Sequence, residues 1–230
     1  RCAAHHLKKQ FRVSVFDSRR IRNIEKGIRR ISLDEAAGKP VIILAVPINR
    51  TPSVLRTIAP LLTPGTLVCD VCSVKEQPIR WMERLLPRDV FILGTHPLFG
   101  PDSANDSMRS RTIILCPVRM PSARLKHIRT VLERLHLNVV RMSPRHHDRL
   151  MATTLFLTQL VGRAMLRLNL PSSTVSTQHF QFLQNLVKTA ENDSEELFMD
   201  MYRYNRFAFS LPGKLASAFD ETRRIFQSRS

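Results

Sequence analysis

The sequence predicts an α/β fold in two parts, a parallel, helix-covered sheet over residues 1–143 and an all-helical domain over residues 144–230. Two observations carry this. Short runs rich in Val, Ile and Leu alternate with helix-forming segments as far as Met142, the pattern of a sheet whose crossovers are helices. Beyond Pro144 the apolar residues change to helical spacing, through Met151, Leu155, Leu160 and Met165 and later Leu183, Leu186, Leu197, Phe207 and Leu211, with no strand pattern among them.

Each element follows from local pattern. Residues 2–10 read as the end of a helix, and Phe11-Arg12-Val13-Ser14-Val15-Phe16 as an alternating strand closing at Asp17. Helix then strand is how a dinucleotide-binding unit continues after its glycine loop, and that loop is not in the chain. The chain begins with Arg1 rather than Met, so a preceding strand and loop are expected upstream. A second strand over 41–46 runs into Pro47, with a helix over 51–62; a third over 66–71 is followed by a helix over 73–86. Strands over 90–93 and 112–116, a helix over 123–135 and a strand over 138–142 complete the first part. In the helical part, 171–173 and 211–213 are the expected breaks.

Composition limits the function classes. With 43% hydrophobic residues and only seven glycines the chain is a folded globular protein. No run approaches the roughly 18 apolar residues of a membrane span, and no secretory leader is present at the N-terminus, so a cytoplasmic protein is expected. The excess of 36 Lys plus Arg over 19 Asp plus Glu, a net +17, keeps polyanion binding in view. The basic residues are spread along the chain rather than gathered into an arm, which argues for a solvated arginine-rich surface and against nucleic acid. Cys69 and Cys72 have CxxC spacing, but the segment continues a strand and turns the two thiols to opposite faces; core residues are expected, and no metal site.

Asp17 and three longer segments carry chemistry. Asp17 closes a strand where a dinucleotide-binding fold places an acid for the adenosine ribose, which favours NAD; Arg19 and Arg20 beside it keep NADP open. Taken alone, Asp17 reads equally well as a solvated turn residue. Gly94-Thr95-His96-Pro97-Leu98-Phe99-Gly100-Pro101-Asp102 follows a strand, which puts His96 at the carboxyl edge of the sheet, where its imidazole can take a proton from an alcohol. Asp70-Val71-Cys72-Ser73-Val74-Lys75 ends the previous strand, and His147-Asp148-Arg149-Leu150-Met151-Ala152 opens the helical part.

In this order and spacing the three segments resemble the prephenate dehydrogenase family, whose patterns are D-x-x-S-V-K, G-x-H-P-x-x-G and H-D-x-x-x-A. The stretch from His96 to Asp102 looks like the enterobacterial branch, often fused behind a chorismate mutase domain, and Phe226-Gln227-Ser228 suits that branch's tail. The resemblance implies a Rossmann-like domain lacking its first strand, a helical domain that forms a homodimer, and oxidative decarboxylation of prephenate, or of arogenate, to give 4-hydroxyphenylpyruvate or tyrosine.

It also implies roles. His96 is the base on the substrate hydroxyl, and Ser73 holds that hydroxyl. Asp17, Arg19, Val46, Pro47, Asp70 and Ser73 lie along the cofactor, and His147, Gln159 and Lys188 along the substrate. His147 and Asp148 serve equally as a structural pair at a helix start. The family usually has a histidine at Gln159 and an arginine at Lys188, and some members have an aspartate at Asn185. Lysine keeps the charge and loses the bidentate fork. These departures leave an inactive relative as the alternative, with a basic anion binder behind it.

Overall fold

The computed structural model of the chain describes residues 2–19, 23–100, 107–169 and 175–227. Arg1, Arg20, Pro101, Asp102, Ser228 and the 171–173 break, all invoked above, lie outside the described residues. The chain divides into two compact units, residues 1–144 and 145–230.

In the first unit, helix α1 (Cys2–Leu7) leads to β1 (Ser14–Val15), which pairs in parallel with β2 (Arg29–Arg30) as a separate two-stranded sheet. The strand expected over 11–16 is thus only two residues long. Phe11 and Phe16 are exposed, and a two-residue ribbon has little apolar contact to extend it. Helix α2 (Leu33–Ala37) opens on a capping box in which Ser32 and Glu35 satisfy each other's backbone N–H groups.

The main sheet holds β3 (Val41–Leu44), β4 (Leu67–Asp70), β5 (Phe91–Pro97), β6 (Thr112–Arg119) and β7 (Asn138–Arg141) in that spatial order. Helices α3 (Thr51–Ile58), α4 (Glu76–Leu85) and α5 (Ser122–Arg134) fall between them in sequence. Pairing is parallel from β3 to β5 and between β6 and β7, and antiparallel between β5 and β6. The sheet is parallel as expected except at this one pair, where β6 runs back alongside β5. The antiparallel partner also lengthens β5. His96 therefore sits inside a strand, paired with Ile114, rather than in a loop after it.

Alternation sorts the core. Leu67, Cys69, Leu93, Ile113 and Leu115 face one side, where Leu125, Ile128 and Leu132 of α5 cover them. Val68, Ile92 and Ile114 are buried on the other. Each such aliphatic side chain contributes about 1.5–3 kcal/mol on burial. Helix α4 begins at Glu76, three residues later than predicted, because residues 73–75 remain an irregular turn.

The second unit has no strand among its described residues. Helix α6 (Pro144–Met151) passes through a π-helical turn (Ala152–Phe156) directly into α7 (Leu157–Arg167). Helices α8 (Gln178–Asn192), α9 (Glu195–Tyr204) and α10 (Leu211–Gln227) follow. Phe156 anchors the core, its ring 5.3 Å from Phe198 and 5.8 Å from Tyr202, with Met201 and Ala208 buried beside it. Gly162 lets α7 and α8 cross closely: a Cβ there would stand 2.8 Å from that of Ala190. The break expected at 211–213 falls earlier. Pro212 lies in the first turn of α10, where its missing N–H has no helical partner to lose.

Candidate active site

Strands β3, β4 and β5 run in one direction, so their carboxyl ends lie along one edge, the edge at which open α/β sheets bind ligands. Beyond β3 come half-buried Val46 and exposed Pro47; Asp70 ends β4, and His96 is the penultimate residue of β5. Gly94 and His96 share one face of β5. A Cβ at Gly94 would come within 2.7 Å of Ile79 Cδ1, so glycine there lets α4 close onto the sheet just before the histidine. His96 is buried, at 7% exposure.

Asp70 and Lys75 are both fully buried and form an ion pair. Asp70 also accepts the Cys72 N–H through Oδ2 (3.0 Å) and the Thr95 N–H through Oδ1 (3.2 Å). The Thr95 hydroxyl donates to the Asp70 carbonyl, and Lys75 Nζ donates to the Thr95 carbonyl (2.6 Å). Side chains thereby continue the β4–β5 ladder one residue past its last backbone pair, Asp70 with Gly94. The turn wraps the Asp70 carboxylate and carries Ser73, whose Oγ is buried and has no hydrogen-bond partner among the described residues. An unpaired buried hydroxyl typically costs about 1–3 kcal/mol, so this one is poised for an added partner.

Burial first, and the Asp70 charge second, push the Cys69 and Cys72 thiols up to about 12. Both stay protonated near neutrality, as inert core groups. Asp17 lies two residues past β1. Hydrogen bonds from the Arg19 backbone N–H (2.8 Å) and then its side chain hold the Asp17 carboxyl below the usual range. The carboxylate is partly open and Arg19 almost wholly so, with side-chain exposures of 33% and 88%.

In the helical unit His147 and Asp148 are fully buried, joined by a 2.7 Å bond from Nδ1 to Oδ1, and Asn205 Nδ2 donates to the Asp148 carbonyl (2.8 Å). Gln159 is buried too. Its Nε2 donates to Asp193 Oδ2 (2.6 Å), which fixes the amide and leaves Oε1 buried without a donor among the described residues; Arg163 reaches the Asp193 carbonyl (2.7 Å). The π turn aligns this unit. At about 100° per residue, twelve residues of α-helix put His147 and Gln159 about 120° apart, and the extra residue in a widened turn brings them within about 20° of one face. The Thr153 and Thr154 hydroxyls both bond the Leu150 carbonyl at the start of that turn (3.1 and 2.8 Å). Lys188 and Asn185 are exposed on α8.

The structure thus draws Asp70, Ser73 and His96 together in one unit, and sets His147 and Gln159 on one helix face in the other. Sequence reasoning passed over Lys75 and Thr95 as site residues. The signal was a lysine closing D-x-x-S-V-K just after apolar Val74, where a solvated lysine has little reason to be.

Comparison with known proteins follows this division. Residues 16–141 match the family model described as prephenate dehydrogenase, nucleotide-binding domain, and residues 164–230 match that described as TYRAAT1-like, C-terminal domain. Arogenate dehydrogenase 2, chloroplastic, of Arabidopsis thaliana is 33% identical over 190 residues, 80% of this chain and 53% of its own length. T-protein of Enterobacter agglomerans is 36% identical over 115 residues, 49% of this chain and 28% of its own. The chain therefore spans about half the length, or less, of these relatives. Prephenate dehydrogenase of Aquifex aeolicus, in complex with hydroxyphenyl propionate and NAD+, shares the fold with a TM-score of 0.75 at 16% identity, covering 99% of this chain and 87% of that one.

Proposed function

Since this chain belongs to the prephenate dehydrogenase family, we propose that it carries the NAD-dependent oxidative decarboxylation of a cyclohexadienyl substrate, arogenate or prephenate. The observation that carries the reading is the buried, partnerless Ser73 hydroxyl at the same sheet edge as His96. A substrate hydroxyl bound between them would complete Ser73 and place its proton at an imidazole.

The residues present suit a nicotinamide dinucleotide. Asp17, ionised and partly open at the end of β1, would hold the adenosine ribose, with Arg19 beside it, and Val46 and Pro47 would line the path to the reacting end. When bound, that cofactor accepts the hydride from the ring carbon bearing the hydroxyl. His96 takes the hydroxyl proton as the hydride departs, and Ser73 holds the oxygen. The ring carboxylate leaves as carbon dioxide, and aromatisation makes the step irreversible. Asp70 contributes from within, through the turn that carries Ser73. Gln159, Lys188 and His147 are proposed for the substrate's polar groups.

Of the two substrates we favour arogenate, because the relative named arogenate dehydrogenase 2 aligns over 80% of the chain at 33% identity. Prephenate is the alternative. The helical unit is proposed to pair with a second copy, its exposed Phe182, Phe209, Phe219 and Phe226 supporting an apolar contact. No described helix is long and apolar enough to cross a membrane. One relative is named chloroplastic, which leaves a cytoplasmic location as a proposal.

Reduced-nicotinamide absorbance, followed in the full-length protein with each substrate and with NAD or NADP, tests the reading. His96→Asn should lower turnover by about 10²–10⁴-fold with an unchanged melting temperature. Near-normal turnover would remove His96 from the chemistry.

A further inference from the structure

The Asp70–Lys75–Thr95 network goes beyond the groups that touch substrate. A buried ion pair is a weak stabiliser, because desolvation offsets most of the Coulomb gain, and a well-packed apolar pair would hold two strands as firmly. What an apolar pair cannot do is donate and accept in fixed directions. Here a carboxylate and an ammonium, both wholly buried, set the backbone at two places. Asp70 takes the N–H groups of Cys72 and Thr95, while Lys75 takes the Thr95 carbonyl. The Thr95 hydroxyl closes the ring on the Asp70 carbonyl. Ser73 follows Cys72 and His96 follows Thr95, so each proposed reacting residue is the immediate neighbour of a pinned one.

We propose that Lys75, with Asp70 and Thr95, is a positioning residue that fixes the distance between the Ser73 hydroxyl and the His96 imidazole, and thereby governs the hydride-transfer step rather than cofactor binding. The inference rests on the reading of Ser73 and His96 given above. Thr95 is held through its N–H, its hydroxyl and its carbonyl, so the peptide joining it to His96 has little freedom. Removing the ammonium frees the Thr95 carbonyl and leaves the Asp70 carboxylate uncompensated.

The test uses the full-length protein, the unaltered form first, with substrate carrying deuterium on the ring carbon that bears the hydroxyl. Lys75→Met is expected to lower kcat about 10–100-fold, the scale of a misplacement near 1 Å. Its NAD dissociation constant and binding stoichiometry should stay within about twofold, and its deuterium isotope effect on kcat should rise as the chemical step becomes limiting. A purely structural role would lower stoichiometry and kcat together and leave the isotope effect alone. Thr95→Val keeps both charges and removes one bond; it is expected to raise the isotope effect with a smaller loss of kcat, and it decides the matter if Lys75→Met does not fold. Unchanged isotope effects in the folded variants would overturn the positioning role alone. Absence of turnover from the unaltered protein with both substrates would overturn the reading of the site itself, and the clamp's role with it.

Discussion

Two aspartates in this chain stand at or just past the end of a strand beside a basic partner, and they are opposites in burial. Asp17 and Arg19 lie in the open, 3.4 Å apart at the side chains, with water free to replace either. Asp70 and Lys75 have no exposure at all and also bond the backbone of the turn after β4 and of β5. An exposed pair is worth about 0–1 kcal/mol and leaves its carboxylate available to a ligand. A buried pair holds its surroundings in place, and taking away one member strands the other. An aspartate with a basic partner thus gives a proposed binding group beyond one strand and a structural pin at the end of another, and burial is the main difference between them.

The contrast can be broken most forcefully at Asp70. Asp70→Ala leaves the Lys75 ammonium buried and unpaired and should lower stability by about 3–5 kcal/mol, read as a shift in the urea midpoint at constant slope. A loss under 1 kcal/mol would mean that water reaches the pair.

The dryness around Asp70 has its own test in the two thiols that flank it. Folded Cys69 and Cys72 release protons only near 12, whereas the unfolded chain does so near 9.0. Above pH 9 the unfolded state therefore binds fewer protons than the folded state, and stability falls as pH rises. The two thiols together should remove about 2 kcal/mol between pH 9 and 10, and Cys69→Ala with Cys72→Ala should flatten that slope. The loss should be absent below about pH 8.

The smallest effect on folding is expected at Asp17. Asp17→Asn should change stability by no more than about 0.5 kcal/mol. It should weaken NAD binding measurably in the full-length protein, while NADP is affected less. Equal losses for both cofactors would separate Asp17 from the ribose hydroxyls.

Much of this was legible in the residues. Runs such as Val41 to Leu44 and Leu67 to Asp70 are strands because β-branched and aliphatic residues in short continuous runs favour the pleated backbone, and the change to helical spacing after Pro144 marks the second unit. What was not legible depends on contacts between distant segments. The direction of β6 is not written in its own composition, and His96 joins a strand only because β6 lies antiparallel beside it. Pro212 reads as a breaker until its place in the first helical turn is known. In the site, Asp70, Ser73 and His96 could be named from motifs, but the role of Lys75 could not, since a sequence shows a lysine and not the direction in which it is buried.

The π turn at Ala152–Phe156 has a consequence for how this segment tolerates change. Its exposed members, Thr153 and Thr154, can be exchanged for other helix-forming residues with modest effect. Their number can fall by one as well. Loss of one codon there would heal the helix into an ordinary α-helix, and the eleven residues then separating His147 from Gln159 would still leave the two within about 20° of one face. The turn is a store of one surplus residue, so this stretch is built to tolerate a single deletion.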